Sequence, residues 1–189
     1  EVFCDLAVGE AVVGEVGGPL SVDSGWTSVS FDHDFLETPI VIAQFPSHAG
    51  TMPAIARLRN VDSDGFEVKL QTPTNAGAYS GSETIDWIAL EPGVWELADG
   101  TDLEVSGLFT NNLASVDPFE QAVFDADFDT APVVLSQVQT NYGNATIITR
   151  QQATSAISVD IVMAEDEGTD DQHAGEYVGW IAMEEASGT

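Results

Sequence analysis

Gly65-Phe66-Glu67-Val68-Lys69-Leu70-Gln71 alternates without a break. In an extended chain Phe66, Val68 and Leu70 fall on one side and Glu67, Lys69 and Gln71 on the other. That is the period-two pattern of a strand covering a core with one face. Asp62-Ser63-Asp64-Gly65 ahead of it reads as a turn. Further along, Ile157, Val159, Ile161 and Met163 alternate in the same way. Phe66, Val68 and Leu70 lie 93 residues before Val159, Ile161 and Met163.

The same spacing runs outward from these strands. Phe31-Asp32-His33-Asp34-Phe35 returns as Phe124-Asp125-Ala126-Asp127-Phe128, and Trp87-Ile88-Ala89 as Trp180-Ile181-Ala182. Pro39-Ile40-Val41-Ile42-Ala43-Gln44, a short apolar β-branched run, returns as Pro132-Val133-Val134-Leu135-Ser136-Gln137. Arg57 matches Arg150, and Glu83 matches Glu176. Residues 31–91 and 124–184 align without a gap, with 15 of 61 positions identical. Self-similarity at a fixed period marks a repeated structural unit. Further strands are expected near 11–17, 25–32, 53–60, 103–109, 117–125 and 145–152, and no segment has a helical period. The expected fold is all-β, with two tandem antiparallel β-sandwiches of about six strands each, over residues 1–93 and 94–189. Val94-Trp95 resembles Val2-Phe3, so each unit is expected to open on the same short strand.

Composition narrows the partners. The chain carries 32 Asp plus Glu against 4 Lys plus Arg, a net charge of −28. Such a surface repels phosphate backbones and anionic lipids, so neither nucleic acid nor a membrane is an expected partner. No apolar stretch approaches the 18 or so residues needed to insert into a bilayer. The acidity has three readings: adaptation to high salt, binding of divalent cations, or solubility in an extracellular setting. Cys4 is the single cysteine and cannot close a disulfide within the chain. It reads either as a small hydrophobe or as an intermolecular thiol.

At Arg57-Leu58-Arg59-Asn60-Val61-Asp62-Ser63-Asp64-Gly65-Phe66 the chain resembles the H-type lectin domain. That family has an Arg-bearing strand, a Gly-Phe entering the next strand and a closing Trp-Ile-Ala, here Arg57, Gly65-Phe66 and Trp87-Ile88-Ala89. The second unit keeps Arg150 and Trp180-Ile181-Ala182, with Ser158-Val159 in place of Gly-Phe. The resemblance implies six-stranded sandwiches that associate and bind N-acetylgalactosamine-type sugars. The Trp of the family's sugar segment has no equivalent: Thr72-Pro73-Thr74-Asn75 and Glu165-Asp166-Glu167-Gly168 stand there.

Arg57 and Arg150 have two readings. One is a forked anchor for a glycan hydroxyl or carboxylate. The other is an ion pair within the same unit, with Asp32, Asp34, Glu83 or their copies. Trp26 and Tyr79 lie near turns and are the candidate stacking rings, whereas Trp87 and Trp180 read as core. Asp166, Glu167, Asp170 and Asp171 offer enough oxygens for calcium, the one cofactor the chain suggests, or form a solvated acidic loop. Asn144-Ala145-Thr146 is an N-glycosylation sequon. No phosphate loop, nucleophile elbow or Ser-His-Asp set occurs, so no enzyme is expected. The expected role is a secreted or cell-surface structural or adhesive subunit that joins itself head to tail, into a filament, through Val2, Phe3, Cys4, Leu6 and strand edges. The alternative is a carbohydrate-binding module of a larger secreted protein.

Overall fold

The computed structural model describes residues 2–8, 11–97, 99–166 and 172–184, the backbone alone for 2–8 and 11. Fourteen strands and no helix are found among them. The first seven are β1 (Val2–Val8), β2 (Ala11–Val22), β3 (Thr27–Ser30), β4 (Ile40–Gln44), β5 (Ile55–Arg59), β6 (Gly65–Gln71) and β7 (Glu83–Leu90). They form a four-stranded sheet, β1-β2-β7-β4, and a three-stranded sheet, β3-β6-β5. The next seven are β8 (Gly93–Glu96), β9 (Asp102–Thr110), β10 (Glu120–Val123), β11 (Val133–Val138), β12 (Ile147–Gln152), β13 (Ser158–Glu165) and β14 (Glu176–Met183). They form the sheets β11-β14-β9-β8 and β10-β13-β12. All strand pairs within the sheets are antiparallel. Each half has seven strands rather than six, the extra one being the opening strand, β1 or β8.

Each half closes over its own core. In the first, Phe66, Val68 and Leu58 from the small sheet meet Val41, Ala43, Ile85, Trp87 and Ala89 from the large one. In the second, Val159, Ile161 and Met163 meet Val178, Trp180 and Ala182, with Phe124 and Phe128 closing the end. A third apolar interior lies between the two large sheets, where Ile40, Ile42 and Leu90 pack on Leu103, Val105 and Ile181. The result is four β-layers with three apolar interiors, so the two sandwiches share a buried face. Ile40 can reach the second sheet because Gly179 lies beneath it: a Cβ there would stand 2.7 Å from the Ile40 Cδ1.

β4 is therefore buried on both faces, which explains its unbroken apolar run. Its edge is covered as well. The Gln139 side-chain amide accepts from Val41 N–H and donates to Val41 C=O, both at 2.9 Å. Gln137 accepts from Ala43 N–H at 2.8 Å and donates to the Ala56 C=O at 2.9 Å. Two glutamine side chains thus stand in for part of the missing neighbouring strand, satisfying Val41 N–H, Val41 C=O and Ala43 N–H.

The turns before β6 and β13 share one hydrogen-bond pattern. Asp62 Oδ1 accepts from the N–H groups of Asp64 and Gly65, and Ser155 Oγ from those of Ile157 and Ser158. Asn60 and Ala153, two residues before these acceptors, both have φ of 49°. Asn tolerates this left-handed conformation, but an Ala Cβ is strained in it. Ala153→Gly should raise the unfolding free energy by about 0.5–1 kcal/mol, strain relief exceeding the entropy of the added glycine. Urea titration of the pair of proteins measures this directly.

Candidate functional site

Arg57 leads to the most charged interior of the molecule. β5 points it away from the first core, yet it is only 1% exposed because the second half closes over it. Its Nη2 donates to Glu176 Oε1 at 2.7 Å and its Nε to Asn141 Oδ1 at 3.0 Å. Glu176 is the counterpart of Glu83, but it belongs to the other half, so the ion pair joins the halves instead of closing within one. His173 lies between two carboxylates, Nδ1 2.7 Å from Glu165 and Nε2 3.0 Å from Glu176. An imidazole can donate at both nitrogens only when protonated. Burial pushes the His173 pKa down, but its hydrogen bonds to Glu176 and Glu165 outweigh that and raise it. With the imidazole protonated, Arg57 and His173 face Glu165 and Glu176, and the charges balance. Gly143 makes room for the imidazole, since a Cβ there would lie 2.4 Å from its ring.

Glu176 also organises backbone. It accepts from Thr140 Oγ1 and from the N–H groups of Tyr142 and Gly143. Burial pushes its carboxyl pKa up, but these donors and His173 hold it at about 2. Glu83 does the same work in the first half: hydrogen bonds from Ser47, Tyr79, Ala49 and Gly50 hold it at about 2. The donors at 47, 49 and 50 recur 93 positions on, at 140, 142 and 143. Glu15 accepts from the N–H groups of Asp32 and His33, and Glu104 from those of Asp125 and Ala126.

The other residues singled out in the sequence are dispersed. Tyr79 is buried, its hydroxyl donating to Glu83, so it offers no ring to a ligand. Trp26 is half-buried under the chain's own cations, with Arg59 at 4.1 Å and Lys69 at 4.6 Å from the ring centroid. That contact already occupies the ring. Arg150 is exposed on β12 and makes no ion pair among the described residues. Asp166 accepts from the N–H and hydroxyl of Thr74 and so ties two loops together. Glu167, Asp170 and Asp171 lie outside the described residues, as do the side chains of Val2, Phe3, Cys4 and Leu6. Asn144 is exposed, and the Thr146 hydroxyl of its sequon donates to the Thr72 C=O.

Two surfaces escaped the sequence reading. One is the outer face and edge of β11, where Val133 and Leu135 are 62% and 52% exposed beside Met183. The other is a crevice of about 280 Å³ where the halves meet, bordered by Phe109, Tyr142 and Tyr177. Their signals are present but faint. Tyr142 sits in the turn Asn141-Tyr142-Gly143, and Phe109 and Tyr177 alternate onto the strand faces opposite the core. Comparison with protein families, with curated proteins and with solved structures finds no match.

Arg57→Met should destabilise the chain by about 3–5 kcal/mol, because it removes one of the two cationic partners of a buried Glu176. Adding Glu176→Gln should cost much less than the sum of the two single changes, a coupling that a double-mutant cycle reads. The carboxylates predict a pH signature. Glu83 titrates at about 2 in the fold against 4.5 unperturbed, so its contribution is complete above 4.5 and lost as pH falls towards 2. Glu83→Gln should therefore be less stable than the parent at neutral pH, the difference closing below pH 4.5. For His173 the sign is reversed: the contribution is full below 6.5 and lost as pH rises through its raised value. Urea unfolding of Glu83→Gln and of His173→Gln beside the parent across this range checks both limbs.

Proposed function

We propose that this chain is a non-enzymatic building unit of a secreted or cell-surface assembly, and that β11 is the joint by which it takes on another unit. The contrast between β4 and β11 carries this reading. In β4 the outward Ile40 and Ile42 are buried on the second half, and two glutamine amides fill the edge. In β11 the residues 93 positions on, Val133 and Leu135, are open. Among the described residues no side chain fills the edge N–H groups of Val134 and Ser136, the counterparts of Val41 and Ala43. The contact between the halves is also heterologous, since a two-fold joint would bury both pairs alike. A heterologous contact repeated from copy to copy builds an open filament unless its rotation closes a ring. Association of subunits is also what the H-type-lectin resemblance implies.

A second copy supplies much of the matching face. Val16 and Ile88 pair with each other as Val105 and Ile181 do, although both are half-buried and Ile88 already packs in part against the interior between the halves, and Gln44, exposed at the end of β4, corresponds to Gln137. Asp86 stands in place of Gly179, and Pro46 in place of Gln139. The joint between copies is thus weaker than the internal one, with one amide clamp instead of two. Copies carrying a charge of −28 each also repel one another, so the joint needs counterions.

Sedimentation and electron microscopy in molar salt should show particles that lengthen with protein concentration. Leu135→Glu should abolish them while leaving the unfolding midpoint within a degree or two, because the side chain is half exposed. A wild-type chain that stays monomeric at the highest soluble concentration, or forms closed dimers alone, would overturn the proposal.

A further inference from the structure

Apart from the β11 joint, we infer that the crevice at the meeting of the two halves binds a proline-rich peptide segment carrying Lys or Arg beside its prolines. Its floor is a pair of rings on the outer face of one sheet, Phe109 of β9 and Tyr177 of β14, which are register partners. A Cβ on Gly175 would stand 2.5 Å from the Phe109 ring, and one on Gly107 2.6 Å from that of Tyr177. The two glycines thus let the rings lie along the sheet. Tyr142 forms one wall, from a loop whose backbone is fixed by Glu176. Thr38, Pro39 and Val61 of the first half form the other.

Phe109 is 61% exposed, Tyr142 68% and Tyr177 37%, although the fold offers three interiors for aromatic side chains. Large apolar rings left open together mark an interaction site. The polar groups beside them divide in two. Gln139 and Thr140 are engaged within the protein, the amide with Val41 and the hydroxyl with Glu176 and the Tyr177 N–H. The hydroxyls of Thr38, Tyr142 and Tyr177 have no hydrogen-bond partner among the described residues. The crevice therefore offers apolar ring faces and free O–H donors. No Asp, Glu, Lys or Arg lines it. Around it the sign is negative: Glu37 and Asp62, next in sequence to Thr38 and Val61, are exposed, and the chain carries −28.

These properties select the partner. A polyproline II helix makes no internal hydrogen bonds, so its carbonyls are free to accept from the three hydroxyls. Its proline rings pack on aromatic faces, and it is extended before it binds, so little ordering entropy is lost. An amphipathic α-helix bonds its carbonyls internally and would leave the hydroxyls unanswered. An added β-strand bonds along a sheet edge, whereas these rings stand on a sheet face. Charge decides the flanks: the acidic surroundings attract Lys or Arg beside the prolines and repel Asp or Glu.

The test is fluorescence anisotropy of a labelled polyproline peptide of about eight residues, roughly 25 Å long and flanked by arginines, titrated with the whole chain. It should bind, and the same peptide flanked by glutamates at least about tenfold more weakly at low salt, the gap narrowing as salt rises. A peptide that keeps the arginines but has glycine and alanine for proline should not bind. Tyr142→Ala should weaken binding by about tenfold, the loss of one packing ring. Tyr142→Phe should lose less, because the ring stays. Tyr142 is exposed, so both variants should share the parent's unfolding midpoint. Leu135→Glu should bind as the parent does, so that this site and the β11 joint fail separately. Equal binding of the proline-free peptide, binding unchanged in both Tyr142→Ala and Phe109→Ala, no binding at about millimolar concentration, or displacement of the peptide by a neutral oligosaccharide would overturn the inference.

Discussion

Strand β4 is the member on which the two-sandwich block depends. A strand at the edge of a sheet has one face for its own core, one face for solvent and a row of unpaired backbone groups. Here all three boundaries are closed. Val41 and Ala43 face the first core, Ile40 and Ile42 the second sheet, and Gln137 and Gln139 cap the edge at Val41 and Ala43. Burying an isoleucine contributes about 1.5–3 kcal/mol, so Ile40 and Ile42 alone hold the halves together by several kcal/mol. The glutamine clamps add direction. An apolar contact tolerates sliding along the strand, but an amide bonded to both N–H and C=O of Val41 admits one register.

Around this joint the molecule uses its acidity structurally. Carboxylates at the ends of β7 and β14, and within β2 and β9, each accept two or more loop N–H groups. Glu15, Glu83, Glu91, Glu104 and Glu176 are all buried in that role. A carboxylate has four lone-pair sites and no proton to place, so one side chain can satisfy several orphan donors of a tight loop. Loops over the sandwich ends are then held without long apolar segments. The cost is desolvation of the charge, met at Glu176 by Arg57 and His173 and elsewhere by backbone dipoles.

The strands and much of the core were legible from alternation, because burial of one face imposes a period of two that Phe66, Val68 and Leu70 display directly. Trp87 and Trp180 were legible as core for the same reason. The partners of Arg57 were not. Its ion pair reaches Glu176, distant in the chain, and no local pattern distinguishes that carboxylate from the one at Glu83. Nor could the two apolar runs starting at Pro39 and Pro132 be told apart, since their difference lies in what covers them. Tyr79 misled for a related reason: a ring next to turn residues reads as exposed, but the loop folds it back onto Glu83. Phe109, Tyr142 and Tyr177 come from three segments, and only the packing of the halves brings them together.

The surface electrostatics tie these features to one another. With 32 acidic residues against 4 basic ones, most of the exterior repels any copy of itself and any anionic partner. Association must then occur where carboxylates are absent and short-range forces suffice. The exposed face of β11 and the aromatic crevice combine open apolar side chains with neutral hydrogen-bonding groups: unfilled backbone N–H groups in one, free hydroxyls in the other. Both also owe their form to the joint at β4. The crevice has its far wall only because the first half is seated on the second, and β11 is open only because the joint uses one of two similar strands. A change that loosened β4 from Gly179 would therefore disturb the crevice before it unfolded either core.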